Sequence, residues 1–296
     1  MIIIIFIALC LVLGANSPLV KFTTQEFSPV ITVTLRSILA ILILLPFINF
    51  KKLFLVKTSK KYLLLVNLLF AGNWLLFAYG IQHTSVIMSA AIYLPSSLIV
   101  AIFGYLFLKE KLGNFQIIGM ISTLMGMSLL IYGSAMSQDI RSLGTLQGNF
   151  LILIALLSWS FFLVVSRKIS QSIDPSIITL SNFIVSFLAS LIFIFIELLL
   201  GNQLKLSVSL PAVVGILSLA IFSSLIVYYL YQWLLKHAPA FISSLAIYPA
   251  AALASLYGII FFGERITATF LFGASLILFG VFLATSYKYV KIKLIK

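Results

Sequence analysis

The chain has 296 residues, of which 62% are hydrophobic and 8% are charged, and its mean hydropathy is +1.23. A soluble fold of this length cannot remove so much apolar surface from water, so the composition excludes a soluble domain and predicts a polytopic membrane protein. The formal net charge of +13 does not indicate nucleic acid, because the basic residues lie in short turns between apolar runs, where anionic headgroups attract them. We therefore expect the lipid bilayer as a partner, and no nucleic acid.

The first apolar run begins at the N-terminus and is predicted to be the first spanning helix. No basic segment precedes it, and its apolar stretch continues past any small-residue cleavage site, so it differs from a signal peptide. The only cysteine, Cys10, lies within this run. Without a second cysteine the chain has neither an internal disulfide nor a cysteine metal site, and we predict no metal and no cofactor.

Ten apolar runs are predicted to cross the membrane, because a helix needs about 20 apolar residues to span about 30 Å of hydrocarbon. In chain order the predicted spans cover residues 2–20, 29–49, 62–81, 86–107, 115–133, 148–169, 175–200, 210–235, 241–262 and 268–288. The longest connection separates the fifth span from the sixth. We expect an all-α integral membrane protein without a soluble domain.

Lysine and arginine are distributed unevenly between the two sides of the predicted bundle. Most of the 19 basic residues follow the second, fourth, sixth or eighth span or lie in the C-terminal tail. By the positive-inside rule both termini face the cytoplasm. In a prokaryote this predicts the inner, cytoplasmic membrane.

The chain contains one stretch twice, at residues 95–126 and 249–280. A shift of 154 positions relates the following pairs: Pro95 and Pro249, Gly104 and Gly258, Glu110 and Glu264, Gly119 and Gly273, Gly126 and Gly280. The duplication predicts two repeats of five spans, at 1–134 and 148–289, followed by a basic tail at 290–296. Because each repeat has an odd number of spans, the repeats are inverted relative to each other. Inverted repeats around a midplane site are a recurring plan of transporters that work by alternating access.

Several short motifs carry a further resemblance. They are Leu13-Gly14-Ala15-Asn16, Trp159-Ser160, Phe27-Ser28-Pro29 with Leu35-Arg36, Phe77-Ala78-Tyr79, Leu94-Pro95, Lys109-Glu110-Lys111, and Gly119 with Gly126. These motifs are similar to the EamA-type repeat of the drug/metabolite transporter superfamily. The chain departs from that repeat at Leu13, where a tryptophan is usual, and at Asn182, where the second repeat lacks the arginine. The resemblance implies a ten-helix inverted-repeat carrier with a central cavity, but no single substrate, because the superfamily moves amino acids, purines, cofactor-like metabolites and drugs.

The prolines and glutamates of the repeated stretch are candidate hinges and gates. Pro95 and Pro249 each remove a backbone donor near the middle of a span, which produces either a tolerated kink or a hinge. Glu110 and Glu264 each either form a gate salt bridge or have a structural role, pairing with the adjacent base and capping the start of the fifth or tenth span. Glycines that recur every seven residues predict close helix packing: Gly119, Gly126, Gly133, Gly273 and Gly280.

Polar and aromatic residues within the predicted spans are the candidates for a substrate cavity. They are Asn16, Trp74, Tyr79, Tyr93, Trp159, Tyr228, Tyr231, Gln232 and Tyr248. The alternative for each is a packing or interfacial role, because interfacial belts use the same aromatic residue types. Arg36, about two turns inside the second span, either extends outward to the interface or attracts an anionic group.

The sequence contains no nucleophile and base pair, phosphate-binding glycine loop or metal-ligand spacing, which argues against an enzyme. A channel is also disfavoured, because a pore usually needs a ring of polar or charged groups. We therefore predict a secondary or exchange transporter that exports a small organic metabolite, an amino acid or a related compound. The alternative substrate is a nucleotide-like cofactor such as S-adenosylmethionine, taken up by exchange.

Overall fold

The described part of the chain is almost wholly helical. A computed structural model describes residues 2–49, 60–108, 114–136 and 143–294. Its α-helices, in chain order, are α1 (Ile2–Gly14), α2 (Asn16–Glu26), α3 (Pro29–Leu44), α4 (Lys60–Gln82), α5 (Val86–Tyr93), α6 (Ser96–Leu108), α7 (Asn114–Met136), α8 (Leu146–Ile169), α9 (Pro175–Leu199), α10 (Leu210–Ser218), α11 (Val227–His237), α12 (Ala240–Ser244), α13 (Ile247–Phe262) and α14 (Ala268–Leu294). A 3₁₀ turn, Leu45–Phe47, extends α3, and a π-helix, Leu219–Ile226, joins α10 to α11.

Eight membrane spans can be assigned within the described residues from helix length and apolar composition. They are Ile2–Glu26, Pro29–Phe47, Lys60–Gln82, Val86–Phe107, Leu146–Ile169, Pro175–Leu199, Leu210–His237 and Ala240–Phe262. The other two predicted spans, 115–133 and 268–288, lie on α7 and α14, whose apolar stretches Ile117–Gly133 and Ala268–Leu283 are each shorter than 18 residues. The described residues therefore form a nearly all-helical, multi-pass membrane fold.

Three of these spans are interrupted close to a proline. One break separates α5 from α6 at Pro95, a second separates α12 from α13 just before Pro249, and a third separates α1 from α2 just before Pro18. Proline leaves the carbonyl four residues earlier without its helical donor. At two of the breaks a tighter turn supplies another donor: Leu94 N donates to the Ala91 carbonyl oxygen at 3.1 Å, and Tyr248 N donates to the Leu245 carbonyl oxygen at 3.2 Å.

Helices α7 and α14 pack against each other through glycines. A Cβ atom added at Gly126 would lie 2.6 Å from the carbonyl oxygen of Gly273, and one added at Gly280 would meet the carbonyl oxygen of Gly119. Side chains do not fit at such distances, so only glycine lets these two backbones approach so closely. The expectation that these glycines serve helix packing is confirmed.

An aromatic core joins α4, α8 and α9. Phe70 on α4 is fully buried, and its ring centroid lies 4.6 Å from that of Trp74, 5.4 Å from that of Phe162 on α8 and 6.1 Å from that of Phe183 on α9. Aromatic pairs at these separations stabilise a core beyond their buried area. The cluster holds Trp74 in place at the edge of a cavity inside the bundle.

Candidate substrate cavity

A small cavity lies where α1 to α5, α8, α11 and α13 meet. Six residues predicted from the sequence line it: Asn16, Arg36, Trp74, Tyr93, Trp159 and Tyr228. The cavity has a volume of about 50 Å³, whereas pockets that hold drug-sized ligands have roughly 300–1,000 Å³. A metabolite can bind here only if the walls move apart.

Arg36 on α3 is 2% exposed and lies inside the bundle. Its Nε donates to Ser224 Oγ at 3.0 Å, its Nη2 donates to the Ser223 carbonyl oxygen at 3.3 Å, and its Cζ lies 3.6 Å from the centroid of the Trp74 ring. Both serines belong to the π-helix, a type of turn that is frequent at functional sites. The interpretation in which Arg36 extends outward to the interface is therefore wrong, because oxygen atoms and an aromatic face hold the guanidinium inside.

The carboxylates that the structure describes are engaged away from Arg36. Glu26 accepts from a serine hydroxyl, and Asp174 caps α9. Glu197 accepts from a tyrosine hydroxyl, and Glu264 accepts from backbone N–H groups. The described groups that contact Arg36 are thus neutral, and no described carboxylate neutralises its positive charge.

Two tryptophans and a tyrosine form an aromatic wall. Trp74 Nε1 donates to the Tyr228 hydroxyl at 2.7 Å, and the two rings lie 5.3 Å apart. The Trp159 ring lies 5.9 Å from that of Tyr228 in an edge-on arrangement. Such a wall offers flat apolar surface together with polar edges, which suits a planar or apolar part of a ligand.

Asn73 is a polar lining residue that the sequence analysis missed. Its Nδ2 donates to the Tyr93 hydroxyl at 2.6 Å and to the Ala155 carbonyl oxygen at 2.8 Å. The available signal was an amide within a long apolar run, the same signal that identified Asn16. The small residues that α13 contributes to the lining were also missed: Ala250, Ala251 and Ala254. Alanine carries no polar group, so the sequence has no mark that distinguishes a lining alanine from a packing one.

The remaining cavity candidates lie elsewhere and have other contacts. The Tyr79 hydroxyl donates to Glu197 at 2.6 Å. The Tyr231 ring is fully buried behind Trp159, at 5.0 Å between ring centroids. Gln232 Oε1 accepts from a serine hydroxyl on α8 at 2.9 Å, and the Tyr248 hydroxyl is bonded to a serine hydroxyl on α6. The cavity lining thus includes only some of the aromatic residues, because spacing gives depth in the membrane but not the direction in which a residue faces.

Glu264 joins three parts of the chain at one end of the bundle. It is 5% exposed, and its carboxylate accepts from Val86 N at 2.6 Å and from Ile87 N at 2.9 Å, while Lys21 Nζ lies 3.9 Å away. The predicted capping of the tenth span is therefore wrong: Glu264 caps α5 instead, because that helix presents unsatisfied N–H groups to it. Burial raises the pKa of Glu264 above its ordinary value, opposed by the two backbone bonds and by Lys21.

The other gate candidate, Glu110, lies outside the described residues, as do its neighbours Lys109 and Lys111. The hinge candidates Pro95 and Pro249 both lie beside helix breaks. Of these four, only Glu264 has a described side-chain contact that ties separate helices together.

Known proteins resemble the chain along nearly its whole length. The profile of the EamA-like transporter family matches residues 1–132 and again residues 146–286. The chain belongs to this family. It is therefore a membrane transporter.

Two relatives are described only as uncharacterized transporters. The chain is 25% identical to YoaV of Bacillus subtilis, over 94% of each chain. It is 24% identical to a protein of Clostridium kluyveri, over 81% of this chain and 78% of the relative. A solved crystal structure shares the fold, with a TM-score of 0.67, 13% sequence identity and 96% of each chain covered.

Proposed function

We propose that the chain is a carrier of ten helices, arranged as two inverted five-helix repeats, that moves a small organic metabolite by alternating access. The observation that carries the proposal is contact between equivalent residues of the two halves. Trp74 bonds to Tyr228, and Ser122 Oγ donates to the Leu276 carbonyl oxygen at 2.9 Å, both pairs being 154 residues apart. Equivalent residues can meet only near an axis that relates the two halves, and Trp74 and Tyr228 meet at the cavity.

The repeats in this proposal are 1–134 and 148–289, with 290–296 as a basic tail. Both contribute to the cavity, which has Arg36 and Trp74 from the first and Trp159 and Tyr228 from the second. In inverted-repeat transporters the substrate lies between the halves, beside discontinuous helices. The breaks near Pro95 and Pro249 fit that plan, and we assign these prolines as hinges.

Lys21, Glu264 and the start of α5 form the gate at one end of the cavity. The contacts link α2 and the segment after α13 to the start of α5. The charge distribution predicts that this end faces outward, with both termini cytoplasmic. Opening outward has to separate Glu264 from Val86, Ile87 and Lys21. Because all four groups are polar, water can solvate them once they part, which keeps the opened state accessible.

The substrate class we propose is an amino acid or a related compound that is exported. The cavity is lined by aromatic rings, amides and one cation, which fits a molecule with a charged head and an apolar or planar remainder. The second candidate, S-adenosylmethionine or a similar cofactor taken up by exchange, has the same charged head and a planar base.

Exchange in liposomes tests this function. Purified protein is reconstituted into liposomes loaded with unlabelled amino acids or S-adenosylmethionine, after a thermal-shift screen has ranked these compounds. We expect saturable accumulation of at least one labelled compound against its own unlabelled pool. Unsaturable flux would indicate a pore, chemical conversion would indicate an enzyme, and no exchange of any compound in the panel would overturn both substrate proposals.

A further inference from the structure

We infer that Arg36 binds a single negative charge of the transported molecule, a carboxylate, and that the same molecule offers an N–H donor to Asn16. The inference rests on the proposed function, and it narrows the substrate to compounds with an amino-acid head. It is based on two groups that line the cavity. A buried cation has no described anion beside it, and a buried hydrogen-bond acceptor has no described donor.

The cation is Arg36. A guanidinium has five N–H donors in a planar fork, which suits a carboxylate, and it stays charged in proteins. Two of its bonds go to neutral oxygen atoms of the π-helix, and the Trp74 ring covers one face. A charged group inside the membrane is costly unless it is paired, and such residues usually mark the path of a substrate or ion. An anionic ligand supplies the missing pair.

The acceptor is Asn16 on α2, directly after the break in the first span. Its Oδ1 is buried and has no hydrogen-bond partner among the described residues, and Asn16 lines the same cavity as Arg36. A buried carbonyl oxygen without a donor costs about 1–3 kcal/mol. An ammonium or amide N–H of a ligand satisfies it.

The charges around the cavity favour a ligand with a carboxylate over ligands with other charged groups. The described lining contains no carboxylate, so a polyamine or another simple cation would meet only the positive charge of Arg36. A phosphate monoester carries about −1.5 to −2 charges at neutral pH, which one arginine leaves partly unneutralised. A carboxylate carries one charge and accepts two parallel bonds from the fork of an arginine.

Two small probes test the anion site without knowledge of the substrate. Benzoate and benzamide have nearly the same shape, but only benzoate is charged. The full chain, purified in detergent, is titrated with each at matched ionic strength, and two signals are followed: the thermal midpoint and the tryptophan fluorescence, to which Trp74 beside Arg36 contributes. We expect benzoate to raise the midpoint and change the fluorescence. Benzamide offers an N–H to Asn16 but no charge to Arg36, so we expect it to bind more weakly than benzoate. Phenyl phosphate is the third arm, and we expect it to bind at least about tenfold more weakly than benzoate, since it buries uncompensated charge.

Three variants test whether the preference for benzoate over benzamide depends on Arg36. Arg36→Gln should abolish the preference for benzoate, whereas Arg36→Lys, which keeps the charge but loses the fork, should retain a weaker one. Arg265→Gln is the matched control, because Arg265 is exposed at one end of the bundle and the substitution removes the same charge. If Arg36→Gln does not fold, the comparison of Arg36→Lys with the parent chain takes its place, and equal benzoate affinity in those two would contradict a role for the fork.

The outcomes separate this inference from the proposed transport. Equal responses to benzoate and benzamide, no response to benzoate, or an unchanged preference in Arg36→Gln would overturn the anion site while leaving transport in liposomes intact. Tighter binding of phenyl phosphate than of benzoate would overturn the choice of a carboxylate. A chain that prefers benzoate through Arg36 but exchanges neither amino acids nor S-adenosylmethionine would instead overturn both substrate proposals and leave the anion site intact.

Discussion

Two contacts between the halves of the chain, α7 with α14 and α4 with α11, have opposite chemistry. Between α7 and α14 the backbones approach each other at glycines, and no side chain fits at Gly126 or Gly280. Between α4 and α11 it is one hydrogen bond between Trp74 and Tyr228 at the edge of a cavity. The first contact leaves no gap between the two backbones, so we expect it to resist movement. In the proposed mechanism the second contact breaks when a ligand enters the cavity. The same duplication has thus produced a fixed contact and a breakable one.

The largest expected effect is on the fixed contact. Gly126→Leu places a side chain where even a Cβ would lie 2.6 Å from the Gly273 carbonyl oxygen, so α7 and α14 have to separate. Overpacking costs about 1–3 kcal/mol or more, and we expect a lower thermal midpoint and less folded protein in size-exclusion chromatography. Gly72→Ala is the control, because its Cβ would have its nearest neighbour at 3.6 Å. Equal stability of the two variants would contradict a fixed α7 and α14 contact.

The breakable contact is tested with Trp74→Phe. The substitution removes the N–H donated to Tyr228 but keeps an aromatic ring beside Arg36. We expect the thermal midpoint to change little and exchange in liposomes to change about fivefold, the equivalent of roughly 1 kcal/mol for one hydrogen bond. Trp233→Phe on α11 is the control, because Trp233 stacks on His237 away from the cavity. If Trp74→Phe lowers the thermal midpoint as much as Gly126→Leu does, the distinction between a breakable and a fixed contact is contradicted.

A smaller effect is expected from acid at Glu264. Its pKa is raised by burial from the ordinary 4.5, so the folded form binds a proton more readily than the unfolded one. Stability should therefore increase as the pH falls through the raised pKa toward 4.5, and decrease as the pH rises through that window. The thermal midpoint measured against pH should show this slope in the parent chain and lose it in Glu264→Gln. Glu26→Gln, which removes another carboxylate near the same end, should keep it, and an identical slope in Glu264→Gln would contradict the assignment.

The smallest effect is expected at Tyr231. Its hydroxyl is buried without a partner among the described residues, so Tyr231→Phe removes an unsatisfied group and should be neutral or slightly stabilising, by less than about 1 kcal/mol. Exchange in liposomes should be unchanged. A large loss of exchange in Tyr231→Phe would instead indicate that Tyr231 contacts the substrate, as the sequence predicts.

The sequence predicts the helices well because apolar length and proline position are local properties. The breaks beside Pro95 and Pro249 follow from the missing backbone donor, and the close packing at Gly126 follows from the glycine spacing. The partners of Arg36 and Glu264 do not follow, because they lie 188 and 177 residues away in the chain and depend on how helices rotate about their axes. That rotation is decided by packing over the whole bundle, which hydropathy does not record.

The π-helix beside Arg36 also bears on how this protein changes over evolution. A π turn bonds each residue to the fifth one along, where an α turn uses the fourth, so it accommodates an additional residue without displacing the helix on either side. Loss of one residue within Leu219–Ile226 would let the segment relax to an α-helix while α10 and α11 kept their places. Such a deletion would move Ser223 and Ser224 away from the guanidinium. A single deletion would thus change the hydrogen bonding of Arg36 in the cavity. We expect relatives with other substrates to differ in length at this turn.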